Sequence, residues 1–165
     1  MTNQILERKE TDRENSSGSD LNIRNIVVAV DLSPRSSQTA AYAVQLAQHV
    51  GASITLVHVF PPEPITEFTS VQAYETFEEG RRRTVEKLGK LVEKVRQTGI
   101  QCTDDFRVGD PAEEVALAAQ CVEADLIITA SHHPGVLGRV FGLDQAPRIF
   151  YRAKCPVLVY HGTAE

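Results

Sequence analysis

The chain has 165 residues, 42% apolar and 24% charged, as expected of one soluble globular domain with a single core. No apolar run approaches the ~20 residues of a membrane span, and the N-terminus lacks the apolar stretch of a secretory signal. A net charge of −5 argues against non-specific nucleic-acid binding, which needs positive charge facing phosphate. Cys102, Cys121 and Cys155 are odd in number and lack metal-ligand spacing, so reduced thiols in a cytoplasmic protein are expected.

Residues 1–24 carry only scattered large apolar side chains (Ile5, Leu6, Leu21, Ile23) around Asn15-Ser16-Ser17-Gly18-Ser19. Such a segment cannot offset its ordering entropy and reads as a disordered tail, with the folded domain over 25–162. Ile26-Val27-Val28-Ala29-Val30 is a continuous β-branched run, the pattern of a central strand covered on both faces. Ser33 then offers a helix cap with Pro34 at the first position. Ala40, Ala43, Val44, Ala47 and Val50 supply one apolar face, and Gly51 ends the helix.

Ile54 to Phe60 is the second strand, and Pro61, Pro62 and Pro64 force an extended exit. After about Ala73 comes a long amphipathic helix, with Phe77, Val85, Leu88, Val92 and Val95 inward and Gly99 at its end. Arg81-Arg82-Arg83 lies among Glu75, Glu78, Glu79 and Glu86, so it reads as a solvated, charge-laced face. Ile100, Cys102, Phe106 and Val108 alternate with polar residues as in a half-exposed edge strand.

Gly109-Asp110-Pro111 with Glu113 combines turn, N-cap, first-turn proline and an acidic third position, a strong helix start. Val115, Ala118, Ala119 and Val122 form its buried face. Leu126 to Ala130 is a buried strand that empties into small, polar and turn-forming residues over 131–144. A short helix over Gln145 to Arg152 and a last strand, Pro156 to Tyr160, complete the chain. Strands alternating with helices imply right-handed crossovers and an open parallel α/β sheet with helices on both faces. Ligands of such sheets lie beyond the carboxyl ends of the strands, at the point where the winding reverses.

Several stretches together resemble the universal stress protein family across about 25–160. They are Val28-Ala29-Val30-Asp31-Leu32-Ser33, Leu56-Val57-His58-Val59, Gly109-Asp110-Pro111-Ala112-Glu113-Glu114-Val115, Ala124-Asp125-Leu126-Ile127-Ile128 and Ala153-Lys154-Cys155-Pro156-Val157-Leu158-Val159. The resemblance implies a Rossmann-like, adenine nucleotide alpha hydrolase-like sheet of order 3-2-1-4-5. It also implies a homodimer paired through Pro156, Val157, Leu158, Val159 and Tyr160. AMP or ATP is the implied ligand, with Asp31 at the ribose, Ala29 and Val59 at the base and Ala130 near the sugar-phosphate.

Many members of that family hold ATP through Gly-x2-Gly-x9-Gly followed by Ser or Thr, after the fourth strand. In this chain those positions fall on Ala130, His133, Leu143 and Asp144, with Ser131 and His132 in the same loop. His133 puts bulk where a phosphate would lie, and Leu143 removes backbone freedom if φ must be positive. Asp144 caps the following helix with its own carboxylate and repels phosphate. Pro147 removes a further amide. A tight triphosphate seat is therefore not expected.

Arg139, Arg148, Arg152 and Lys154 against Asp144 alone still make 131–154 attractive to a single anion. Asp31 either meets a ligand or hydrogen-bonds the turn after its strand, and the sequence leaves both open. His132-His133 has no third ligand at matching spacing, so no metal is expected. Gly135 to Gly142 reads as a glycine-rich lid, His58 as a structural histidine and Cys155 as a small hydrophobe.

The expectation is a non-enzymatic cytoplasmic stress-response dimer, with weak or altered adenine-nucleotide binding and an unidentified protein partner. The alternative is a nucleotide sensor or weak ATP hydrolase on the same fold. Neither nucleic acid nor membrane is an expected partner. His-x-Gly-His, Ser-Gly-Gly-x-Asp-Ser and Gly-x4-Gly-Lys-Ser/Thr are absent, and no catalytic residue stands out. A phosphoacceptor receiver is rejected, because Asp31 stands alone and His161-Gly162, not lysine, follow the last strand.

Overall fold

The computed structural model describes residues 22–60, 62, 71–130 and 145–162. Its elements run β1 (Asn25–Ala29), α1 (Pro34–Val50), β2 (Ser53–Phe60), α2 (Val71–Arg96), β3 (Cys102–Val108), α3 (Pro111–Cys121), β4 (Leu126–Ala130), α4 (Gln145–Arg152) and β5 (Val157–Tyr160). The strands form one sheet of order β3-β2-β1-β4-β5 with every pairing parallel, as the resemblance implied. The segments 1–21 and 131–144, read above as tail and glycine-rich loop, lie outside the described residues.

The β-branched runs become central strands because both faces are covered. Ile26, Val28, Ile54, Leu56 and Ile128 pack on α1 and α2, whose contributions include Ala40, Ala43, Ala47, Leu88 and Val92. Val27, Val57 and Ile127 point the other way, onto Ala112, Val115, Ala118 and Ala119 of α3 and Ile149 of α4. Alanines on α1 and α3 let these helices approach the sheet closely. Gly51 ends α1 in a left-handed conformation (φ 72°), its N–H donating to the Ala47 carbonyl.

Three details of the sequence reading change. Val85 faces outward at 44% exposure, and Leu91, 8% exposed, takes its place in the core. Positions 88, 91, 92 and 95 fit one stripe, whereas 85 lies on its margin. Helix α2 begins at Val71, before the expected start after Ala73. Strand β5 begins at Val157, although Pro156 still contributes its carbonyl to the Ile127 N–H at 3.0 Å.

Candidate functional site

Strands β1 and β4 are neighbours whose onward connections run in opposite directions, to β2 through α1 and to β5 through α4. The crevice at their carboxyl ends is the winding reversal where open α/β sheets hold ligands. Ala29 and Ala130 end these two strands, and Val59 lies one strand across on β2. Ala29 and Val59 pack on the α3–α4 side of the sheet. The structure thus brings Ala29, Asp31, Val59 and Ala130 to one edge. Ser131, His132, His133, Leu143 and Asp144 lie outside the described residues.

The turn after β1 is built by Asp31. Its Oδ1 accepts the Ser33 N–H at 3.0 Å and the Ser36 hydroxyl at 2.5 Å, while the Asp31 N–H reaches Ser36 Oγ at 3.1 Å. These bonds hold Leu32 in the left-handed region (φ 59°), a conformation a branched side chain seldom adopts. Ser33 has the extended backbone of an N-cap, yet its hydroxyl caps nothing. Its oxygen is buried without a hydrogen-bond partner among the described residues. The side-chain cap expected of Ser33 is not formed; Asp31 instead accepts the N–H of Ser33 itself and the Ser36 hydroxyl, and the Ser36 N–H goes to the Ser33 carbonyl.

His58 is structural, as read. Its Nδ1 lies 2.8 Å from the Val30 carbonyl, and a carbonyl only accepts, so Nδ1 carries the proton. Phe106 stands beside its ring at 6.0 Å between centroids. Cys102 is buried and its thiol is pushed up to about 11 by that burial, which makes it inert. Burial likewise raises the Cys155 thiol, with Asp125 adding to the effect. Among the described residues no group of three or more His, Cys, Asp or Glu side chains could hold a metal ion.

The Gly-Asp-Pro turn before α3 carries more than a cap. Asp110 Oδ1 accepts the Glu113 N–H at 3.1 Å, as the sequence indicates. Its Oδ2 takes Arg148 of α4 at 2.6 Å, tying two helices together across the edge. Partial burial acts to raise the Asp110 carboxyl, but the Arg148 and Glu113 hydrogen bonds and the charges of Arg148 and Arg152 outweigh it. The carboxyl therefore sits below its ordinary value. Arg148, counted from sequence as a cation open to an anion, is already engaged, and nothing in a separation of 38 residues announced that.

Gly109 is required here. At φ 152° an added Cβ would stand 3.0 Å from Glu114 Cγ. Glu114 is itself fixed by Arg107, which bridges Asp105 at 2.8 Å and Glu114 at 3.2 Å. Burial would lower the Arg107 guanidinium, but its bonds to Asp105, Cys121 and Glu114 hold it above the ordinary value. Arg107 is a structural cation.

Two of the cavities on the described surface bear on this comparison of edges. One of about 830 Å³ opens at the amino edge of the sheet, between Arg24, Gly51, Ser53 and Gln101. It is the larger, but it faces away from the winding reversal. The other, about 150 Å³, adjoins the Asp31 turn and is lined by Ser33, Ser36 and Ser37 on one side and Lys87, Lys90 and Lys94 on the other. The sequence reading missed these lysines. Their spacing of three and four residues, beside buried Leu88 and Leu91, was the available signal.

The model of the family described as "Universal stress protein family" matches residues 22–161. A Thermus aquaticus protein described as "Universal stress protein in QAH/OAS sulfhydrylase 3'region" is 32% identical over 138 residues, covering 82% of this chain and 97% of that protein. A universal stress protein solved in complex with cAMP superposes with a TM-score of 0.65 at 20% identity, covering 85% of this chain and 98% of that one. The Archaeoglobus fulgidus universal stress protein in complex with dAMP gives 0.61 at 23% identity, with 84% and 98% covered. At those identities the two structures speak for the fold.

Proposed function

The chain belongs to the universal stress protein family, and from that premise we propose a non-enzymatic, cytoplasmic stress-response dimer that recognises at most an adenosine moiety and grips phosphates weakly. The observation that carries this reading is the pairing of a crevice at the β1–β4 ends with a cation already spent. Ala29, Asp31, Val59 and Ala130 lie at or near those strand ends, while Arg148 is held by Asp110 at 2.6 Å. The relatives solved with cAMP and dAMP support an adenine ligand class. The charged groups around the edge, Arg107, Glu114, Asp110 and Arg148, are consumed in structural pairs, which supports a binding role over acid–base chemistry.

The dimer reading rests on β5, an edge strand that pairs with β4 on one side. Ile127 donates to the Pro156 carbonyl and aligns with Val157, so parallel pairing turns the backbone groups of Val157 and Val159 outward. Such an edge is a template for a second strand. Among the described helices none is long and apolar enough to cross a membrane.

Thermal-shift titration of the full chain tests the ligand. Ligand-linked stabilisation grows with the ratio of concentration to Kd, so ATP gives a weak or absent shift, and AMP at millimolar concentration a small one. A shift that reports micromolar ATP binding overturns the reading, and steady phosphate release from ATP removes its non-enzymatic part. Sedimentation of the same sample gives a dimer, and Val159→Pro gives a monomer. A dimeric Val159→Pro removes β5 as the interface.

A further inference from the structure

We propose that the outer flank of α4, centred on Phe150, is a contact surface for a second copy of this chain and packs against the same flank of the partner's α4. The inference rests on the dimer reading above and adds a helical layer to the strand pairing. Phe150 is 62% exposed and Tyr151 83%, the highest values among the exposed large apolar and aromatic side chains described. Their rings meet edge to face at 5.6 Å between centroids, so they form one patch.

Helix geometry fixes the direction in which this patch faces. Successive residues of α4 lie about 100° apart around its axis. Ile149 is buried against the sheet. Arg148 reaches Asp110 at the start of α3, and the charge of Arg152 acts on the same carboxyl, so that flank of α4 faces α3. Phe150, about 200° round from Arg148, therefore stands on the opposite flank. Exposed Pro147 shares its side of the helix. Both charged residues of α4, Arg148 and Arg152, lie toward α3, which leaves the outer flank uncharged.

Beyond that flank is the free edge of β5, and among the described residues no further element covers this face of the sheet. Ile149 clusters with Ile127 of β4 and Val157 of β5, so α4 rides over the seam between the last two strands. Exposed Val159, two residues after Val157, points to the same face. One edge strand paired with its own copy about a two-fold axis runs antiparallel, with the axis perpendicular to the sheet. Both α4 helices then fall on the same face. Their seams are two strand spacings apart, about 10 Å for strands about 4.8 Å apart. Packed helices stand roughly 8–10 Å apart, so the two outer flanks meet with Phe150 and its counterpart between them.

The area required points the same way. Strand β5 has 4 residues and is about 13 Å long, whereas a stable interface buries roughly 800 Å² per partner. An aromatic side chain buries roughly 150–250 Å², so the α4 flank supplies surface that the short strand lacks.

Sedimentation equilibrium of the full chain tests the contact. Phe150→Glu and Phe150→Arg each set like charges across the axis and raise the dimer dissociation constant about tenfold or more. An equimolar mixture of the two variants restores the dimer, because opposite charges then face each other, and that recovery shows that both variants fold. Leu117→Ala, which trims an exposed apolar side chain of α3, leaves the constant unchanged. A dimer that Val159→Pro dissociates but the Phe150 variants leave intact keeps β5 as the interface, overturns the α4 contact and assigns the patch to a different partner. A mixture that stays monomeric places Phe150 off the axis and also overturns the contact. A monomeric unmodified chain removes the dimer reading itself, and this contact with it.

Discussion

The two ends of the sheet use polar side chains differently. At the amino edge, side chains finish off backbone: the Asp125 carboxylate accepts the N–H groups of Arg24 at 2.8 Å and Asn25 at 3.0 Å, where β1 begins. At the carboxyl edge, ion pairs between side chains are added to such bonds, as in Asp110–Arg148 and Arg107–Glu114. That edge also contains Leu32 in a left-handed conformation and the Ser33 hydroxyl, which has no hydrogen-bond partner among the described residues. Left-handed non-glycine backbone occurs at both edges, at Leu32 and at Glu123 just before β4, whereas the buried hydroxyl without a hydrogen-bond partner among the described residues lies at the carboxyl edge.

The largest expected effect comes from cutting the layer both ends share. Ile128 is fully buried on β4, and Ile128→Ala costs about 2–5 kcal/mol in urea unfolding. Loss of protection at one end alone, measured by hydrogen exchange, would show that the two edges are not one cooperative unit.

A matched pair of carboxylate deletions then separates the edges. Asp125→Ala costs about 1–2 kcal/mol, because two backbone donors lose a charged acceptor, and it leaves the AMP titration unchanged. Its pH dependence has a definite sign. The Arg24 and Asn25 hydrogen bonds, against a small opposing effect of burial, hold the Asp125 carboxyl below 3.8 in the folded state. Its contribution is therefore full above that value and disappears as pH falls through the lower folded value. The acid limb of an unfolding curve is shallower in Asp125→Ala.

The smallest stability change belongs to Asp110→Ala, about 1 kcal/mol for a lost N-cap. It has a ligand effect that Asp125→Ala lacks. Arg148 is released, so ATP stabilises the variant more than the unmodified chain in the same thermal titration. Equal ATP responses in the two carboxylate variants would erase the distinction between the edges.

Local chemistry made much of this molecule legible. The Asp110-Pro111-Glu113 helix start appears as read, with Asp110 accepting the Glu113 N–H. Strand β4 and helix α4 also occupy the residues expected of them. In each case the signal lies within a few residues of its effect. Val85 shows the limit, since a marginal position on an amphipathic stripe is decided by how far the helix rolls against the sheet.

The candidate site was legible as a place and illegible as a charge distribution. That Ala29 and Ala130 end adjacent strands, with Asp31 two residues beyond the first, follows from strand pattern and family resemblance. That Arg148 belongs to Asp110, while Lys87, Lys90 and Lys94 have no carboxylate partner among the described residues, does not. Ser33 illustrates the same point close at hand: it stands at the N-cap with extended backbone, yet its hydroxyl makes no cap bond.

The sequence by itself determined the order of elements, the faces they bury and the edge at which a ligand is sought. Hydrophobic period, caps and turns are local, and local free energies add along a chain. Only the tertiary structure decided which charges cancel and which stay open, because ion pairs depend on distances between residues far apart in sequence and on the water excluded around them.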